Sequence, residues 1–261
     1  LELAAGNLDA ADAYAVRAET DAAQLGLQLP AALAGRARAS VLLAQDEPLA
    51  YVIGWQPFCG LKIHLDSKPL IPRPETEQLL GSLEVSPPLG GDSSRLRFLD
   101  LCAGSGAIGC AALARLPSAE VYFGEIDPAH EATILKNIRE NNLDESRADI
   151  RIGNLFEPFD NMKFDVIAAN PPYIPAAREL PNSVSNYEPA GALFAGDDGL
   201  DVIRRIARSI RCHLTEGGQA WIECDSPSVE AASGLFTAQG LRAEIRNDQY
   251  DKPRVIVVSF P

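Results

Sequence analysis

From Leu96 to the end of the chain, short apolar runs alternate with longer stretches of helical period. Runs at 97–102, 121–126, 149–153, 165–169, 219–224, 241–246 and 254–260 have the length of buried strands. The stretches near 106–116, 128–142, 200–214 and 226–239 have the spacing of helices. This alternation predicts a parallel α/β sheet with helices on both faces. Upstream the rhythm changes. Residues 1–46 are rich in Ala and Leu, and Leu25, Leu29, Leu33 and Val41-Leu42-Leu43 fit short amphipathic helices. Leu61, Ile63 and Leu65 then alternate with polar residues, and Gly60 suits a tight turn, so a hairpin is expected. Pro72-Arg-Pro-Glu-Thr-Glu77 reads as a loop entering a helix over about 75–84, because prolines and acids favour a first turn. Residues 86–94 are rich in Pro, Gly and Ser and read as a linker. Three parts follow: a helical N-terminal domain over 1–50, a hairpin, helix and linker over 51–94, and an α/β domain over 95–261.

Composition narrows the classes. Hydrophobic residues make up 46% of the 261, enough for a sizeable core. No apolar run reaches the roughly 18 residues of a membrane span, and no basic stretch precedes an apolar one near the start, so no membrane contact or secretory signal is expected. The five cysteines are odd in number and contain no C-x-x-C, and the three histidines are scattered. Neither a disulfide framework nor a metal site is suggested, and a cytoplasmic location is expected. A formal net charge of −13 opposes direct nucleic-acid binding, which rests mainly on Lys and Arg.

Candidate chemistry begins where the first strand of the α/β domain meets its helix. Asp100, Leu101, Cys102, Ala103, Gly104, Ser105 and Gly106 form a small-residue turn, which lets backbone approach a ligand closely. Such a turn often cradles a pyrophosphate at a helix N-terminus. Here the acid Asp100 stands just ahead of it, which disfavours a pyrophosphate and favours a cationic ligand such as S-adenosylmethionine. Glu125 ends the next strand about 20 residues on, where an acid can accept ribose hydroxyls; Asp127 suits a helix cap. Asn154 and Leu155 end the third strand, placed either to meet an adenine edge and face or simply to close the strand.

The fourth strand breaks at Asn170 into Pro171, Pro172 and Tyr173. Asn170 offers a side-chain carbonyl, and Pro171 a backbone carbonyl with no N–H beside it. Two acceptors match the two hydrogens of a planar –NH2, and Tyr173 offers an aromatic face. Such a pair can present an amide nitrogen, or equally the exocyclic amine of a flipped DNA or RNA base. A protein that binds S-adenosylmethionine or a translation partner without chemistry is the non-enzymatic alternative, and the intact Asn-Pro-Pro-Tyr run argues against it.

Asp100-Leu-Cys-Ala-Gly-Ser-Gly106, Asn170-Pro-Pro-Tyr-Ile174 and Ile71-Pro-Arg-Pro-Glu-Thr-Glu77, with Tyr187-Glu-Pro189, Ala192-Leu193 and Gly196-Asp-Asp-Gly-Leu200, together resemble the HemK/PrmC family of protein-(glutamine-N5) methyltransferases. The likeness spans about residue 50 to the C-terminus. It implies a seven-stranded Rossmann-like S-adenosylmethionine-dependent methyltransferase domain behind a small helical domain that docks substrate. It also implies a protein partner, the peptide-chain release factor, methylated on the glutamine of its Gly-Gly-Gln motif. By position, Asp100, Cys102, Glu125, Asn154, Leu155 and Asn170 fall on cofactor contacts, joined by Thr76, and residues 170–173 on the substrate amide. The chain departs from the family where Glu125 and Asn154 replace Asp, where Glu223-Cys-Asp225 replaces Glu-Ile-Gly, and in a shorter N-terminal region. Glu188 and Glu223 are read as structural or substrate-orienting. Gly217-Gly-Gln219 mimics the substrate motif but reads as a turn before a strand.

Overall fold

The computed structural model describes residues 46–81 and 96–261. The helices expected before residue 46 and the linker at 86–94 lie outside the described residues. Of those described, 46–54 and 181–187 belong to one compact unit and the rest to a second. The first unit contributes the helical turns Leu49–Ile53 and Asn182–Ser185. Gly54, with φ 82°, closes the former in the left-handed conformation that ends a helix most cheaply.

The second unit opens with a hairpin of β1 (Trp55–Phe58) and β2 (Leu61–His64), paired antiparallel. Cys59 and Gly60 connect them, both with positive φ, as a two-residue turn between twisted strands requires. The outward edge of β2 is met by side chains of a helix, α3 (Glu131–Glu140), and the residue after it. Asn141 accepts from the Lys62 N–H at 2.9 Å and donates to its C=O at 2.9 Å. Asn137 does the same to His64, at 2.6 and 3.0 Å. The match is geometric. Two residues of strand rise about 6.6 Å and four of helix about 6.0 Å, so amides at i and i+4 meet backbone groups at j and j+2 in reverse order.

The sheet has seven strands: β3 (Arg97–Leu101), β4 (Glu120–Glu125), β5 (Ala148–Ile152), β6 (Phe164–Ala169), β7 (Leu214–Glu223), β8 (Arg242–Asn247) and β9 (Pro253–Ser259). Their order is β5-β4-β3-β6-β7-β9-β8, with the first five parallel. The expected parallel sheet holds for five strands and is corrected at the end, where β9 runs antiparallel to both neighbours. Only residues 248–252 join β8 to β9. A parallel return needs a crossover of a dozen or more residues, so this link can only turn back. Asp248 builds the turn by accepting the N–H groups of Tyr250 and Lys252.

Helices α1 (Pro74–Gly81), α2 (Ala107–Arg115), α3, α4 (Asp201–His213) and α5 (Val229–Thr237), with the short turn Ala190–Leu193, pack in the same unit. In α4, Ile203, Ile206, Ala207 and Ile210 are buried while Arg205, Arg208 and Arg211 face water, the i, i+3, i+4, i+7 pattern of a helix laid on a sheet. The core beneath it gathers Phe164, Ile167, Ile222, Phe236 and Ile256, all fully buried. A second correction concerns Gly217-Gly-Gln219, which is no turn between elements. Phe164 pairs with Leu214 and Val166 with Gln219, so residues 215–218 bulge within β7. The order reverses between β3's two neighbours, β4 and β6, and the loops leaving β3 and β6 part there to open a crevice.

Candidate active site

A cavity of about 400 Å³ occupies that crevice, within the size range of small-molecule sites. Seven of the expected cofactor and catalytic residues line it: Cys102, Gly104, Glu125, Asn154, Leu155, Asn170 and Pro172. The loop leaving β3 turns through positive φ at Cys102, Gly104 and Gly106 before α2 begins. Glu125, at the end of β4, anchors that loop. Its Oε2 accepts the Gly104 N–H at 2.7 Å, and its Oε1 accepts those of Ile126 and Asp127, both at 2.9 Å. Each carboxylate oxygen has about two lone-pair positions, so Oε1 is filled and Oε2 has one left. Oε2 thus keeps room for a further donor on the cavity side. Asp127 caps the following turn by accepting the Ala129 N–H at 2.9 Å.

Other expected contacts do not line the cavity. Asp100 is fully buried beneath the loop: Oδ2 accepts the Gly109 N–H at 2.8 Å, and Oδ1 has no partner among the described residues. Burial pushes its pKa up to about 8, opposed by the Gly109 N–H and assisted by Glu125. Leu101 and Ala103 pack in the interior, Ser105 gives its carbonyl to Asn137 at 2.9 Å, and Gly106 is buried at the start of α2. Asn154 reaches the cavity wall, but its amide is committed, accepting from Arg205 at 2.7 Å and donating to Glu157 at 3.1 Å. Leu155, at φ 52°, supplies apolar surface. Sequence reading missed Leu70, Ile126, His130 and Val202, which share the lining. Ile126 carried the one legible signal, an isoleucine directly after the acid at a strand end; it is 66% exposed, an apolar wall facing open space.

Past β6 the chain breaks at Pro171 and Pro172. Asn170 lines the cavity with its amide nitrogen committed, donating to Thr76 Oγ1 at 3.1 Å. Thr76 therefore supports Asn170 rather than lining the cavity. Its own hydroxyl donates to Glu223 Oε2 at 2.7 Å, and the Tyr173 hydroxyl donates to Glu223 Oε1 at 2.9 Å. Asn170 and Pro172 line the cavity, and Pro171 and Tyr173 do not. Burial lifts the pKa of Glu223, against the pull of the two hydroxyls and of Arg254. Burial and the Glu223 charge raise that of Tyr173, so it keeps its proton.

The remaining motifs hold these parts in place. Glu188 is buried, accepts the Ile71 N–H at 3.1 Å and forms an ion pair with Arg73, tying the segment before α1 to the cavity rim at Pro189. Glu77 accepts the Cys59 N–H at 2.7 Å. Ile174 and Ala176 exchange backbone hydrogen bonds with Leu193, Ala195 and Gly196, closing the loop after Tyr173. Gly199, at φ 76°, lies under Tyr173; a Cβ there would stand 2.4 Å from the Tyr173 carbonyl oxygen. Among the described residues no cluster of His, Cys, Asp or Glu is arranged to hold a metal ion, and no helix is long and apolar enough to cross a membrane.

Residues 76–185 match the family described as the methyltransferase small domain. A release factor glutamine methyltransferase of Geobacter sulfurreducens is 36% identical over 199 residues, covering 76% of this chain and 67% of that protein. One of Mycolicibacterium smegmatis is 32% identical over 232 residues, covering 88% and 81%. Among solved structures, a 16S rRNA methyltransferase of T. thermophilus, in complex with AdoMet and guanosine, aligns with a TM-score of 0.51 at 19% identity, over 72% of this chain and 43% of that one. That last likeness is one of fold.

Proposed function

Since the chain belongs to the release factor glutamine methyltransferase family, we propose that it moves the methyl group of S-adenosylmethionine to the side-chain amide nitrogen of the glutamine in the Gly-Gly-Gln motif of a peptide-chain release factor, in the cytoplasm. The observation that carries the reading is Asn170. Its –NH2 is spent on Thr76, which leaves the carbonyl of this cavity-lining residue uncommitted, one position before Pro171. We read that carbonyl and the Pro171 backbone carbonyl as two acceptors for one planar amide.

The cavity residues suit S-adenosylmethionine. The lone pair left on Glu125 Oε2 can take a ribose hydroxyl. Ile126 and Leu155 offer apolar faces to a flat base. When bound, the cofactor supplies a methyl group on a sulfonium, an electrophile that needs no metal.

An amide nitrogen is a weak nucleophile because its lone pair is delocalised into the carbonyl. Asn170 Oδ1 and the Pro171 carbonyl would accept its two N–H bonds and aim the nitrogen. Orientation of this kind can supply roughly 7–11 kcal/mol of a barrier. Hydrogen bonds to carbonyl acceptors also stabilise the positive charge that builds on the nitrogen, and the proton then leaves to water. We assign substrate docking to residues 1–50, the hairpin, helix and linker to 51–94, and the chemistry to 95–261.

The test is transfer from labelled S-adenosylmethionine to intact release factor, to a short Gly-Gly-Gln peptide, and to DNA and RNA. Label on the motif glutamine, confirmed by fragment mass and lost when that glutamine is replaced, is expected, with the intact factor the better substrate because remote contacts position the amide. Label confined to nucleic acid would refute the reading.

A further inference from the structure

A primary amide can sit either way round, and only one way presents a carbonyl to the substrate. Nothing in Asn170 itself selects it. The selection lies behind it, in a chain of hydrogen bonds running to a buried acid on another strand. Glu223, at the carboxyl end of β7, is 1% exposed, and its two oxygens receive the hydroxyls of Thr76 and Tyr173. Thr76 is 3% exposed, and its oxygen accepts from Asn170.

The donor and acceptor inventory forces the direction. An ionised carboxylate can only accept. Thr76 must therefore spend its single proton on Glu223, which leaves its oxygen as an acceptor. An acceptor facing the Asn170 amide calls for the –NH2, so Oδ1 turns to the other side. We propose that Glu223 is a positioning residue that sets the orientation of Asn170 through the Thr76 hydroxyl, and so decides whether the site accepts or repels a substrate –NH2. If Glu223 is neutral or removed, the Thr76 proton is released and can be donated to Asn170 Oδ1. The amide then turns round and meets the substrate donor with a donor.

The surroundings of Glu223 add a pH dependence. Burial raises its pKa, the Thr76 and Tyr173 hydroxyls and the Arg254 charge pull it down, and Glu75 pushes it up. The orienting state is the ionised one, so it is present above the folded pKa and lost as pH falls through it. The acid limb of activity should therefore lie above the usual carboxylate range.

This proposal rests on the reading of Asn170 as the substrate-amide acceptor, so the test needs a readout that does not require substrate. The Asn170 side-chain –NH2 resonances, identified by their loss in N170D, report the chain directly in the full-length protein. They should shift in Thr76→Val, stay near wild type in Thr76→Ser, and titrate with pH in wild type but not in Glu223→Gln. In single-turnover transfer at saturating cofactor, T76V and E223Q should each be slower on the order of 10²-fold, as for one lost preorganised hydrogen bond. T76S should stay within a few-fold of wild type, and calorimetric cofactor affinity within about threefold in all. Because both act on one chain, T76V/E223Q should be no slower than the slower single variant. Resonances unmoved by T76V, or fully additive losses, would overturn the proposal whatever the substrate proves to be. Tyr173→Phe guards against misfolding as the cause: it removes the other hydroxyl from Glu223 and so raises the Glu223 pKa further, and the Asn170 resonances should stay in place well above the acid limb and shift at a higher pH than in wild type. Their loss in Y173F at every pH would show that Glu223 is a packing element. Resonances that behave as expected in a protein that methylates no release factor would instead refute the function and leave the orientation standing.

Discussion

Replacing Glu125 tests the two duties the structure gives it. In Glu125→Ala, the N–H groups of Gly104, Ile126 and Asp127 lose their acceptor. Hydrogen bonds to a charged group contribute about 1.5–3 kcal/mol each, and water entering from the cavity recovers part of that. A destabilisation of about 2–4 kcal/mol is expected. Binding should weaken separately. Only one lone pair of Oε2 remains for a ligand, so a single charge-assisted contact is lost, about tenfold or more in affinity. Glu125→Gln divides the duties: its oxygen can keep Ile126 and Asp127, but its –NH2 would face the Gly104 N–H, donor against donor. E125Q should therefore fall between wild type and E125A in stability. Denaturant titration gives the first quantity, and calorimetry with S-adenosylmethionine on folded protein gives the second. If E125A is as stable as wild type, Glu125 does not anchor the loop; if its affinity is also unchanged, the ribose assignment fails.

Asn170→Ala should slow methyl transfer on the order of 10²-fold, whereas Asn170→Asp should turn over slowly with cofactor binding retained or improved, because its charge favours the cationic ground state; single-turnover rates near wild type in both would reduce Asn170 to a turn residue. Asp100 holds its proton to about pH 8 in the fold, far above its unfolded value. Its stabilising contribution is therefore full below the unfolded pKa and lost as pH rises toward 8, and Asp100→Asn should flatten the fall in thermal midpoint between roughly pH 4 and 8; an unchanged slope would assign that fall to other groups. Gly199→Ala puts a Cβ against the Tyr173 carbonyl at a positive φ, costing about 1–3 kcal/mol, and should impair transfer more than cofactor affinity, as initial rates and calorimetry would show.

The layout of the sheet was legible because each strand and helix carries its own period. The antiparallel close is legible too, because the seven residues between the runs at 241–246 and 254–260 are too few for a crossover. The cavity side of the site followed from local rules: small residues at a strand end, an acid at the next, an amide before prolines. Which of those groups face the cavity did not follow, because that depends on partners distant in sequence. Thr76 and Glu223 are 147 residues apart, and Asn154 is claimed by Arg205, 51 residues on. Glu125 was identified by position, but its backbone partners follow from the path of the loop, which no residue type specifies. The bulge in β7 escaped because two glycines and a polar residue read the same in a turn and in a bulge.

The asparagine rungs on β2 also bear on how the protein behaves in concentrated solution. A two-stranded hairpin exposes outer backbone groups, and an exposed strand edge is a template on which another chain can add its own strand. On the β2 side, Asn137 and Asn141 already occupy the N–H and C=O groups of Lys62 and His64. An incoming strand would have to displace two folded-in amides before it made its first bond. The same side chains that place the hairpin thus act as a guard against self-association along that edge.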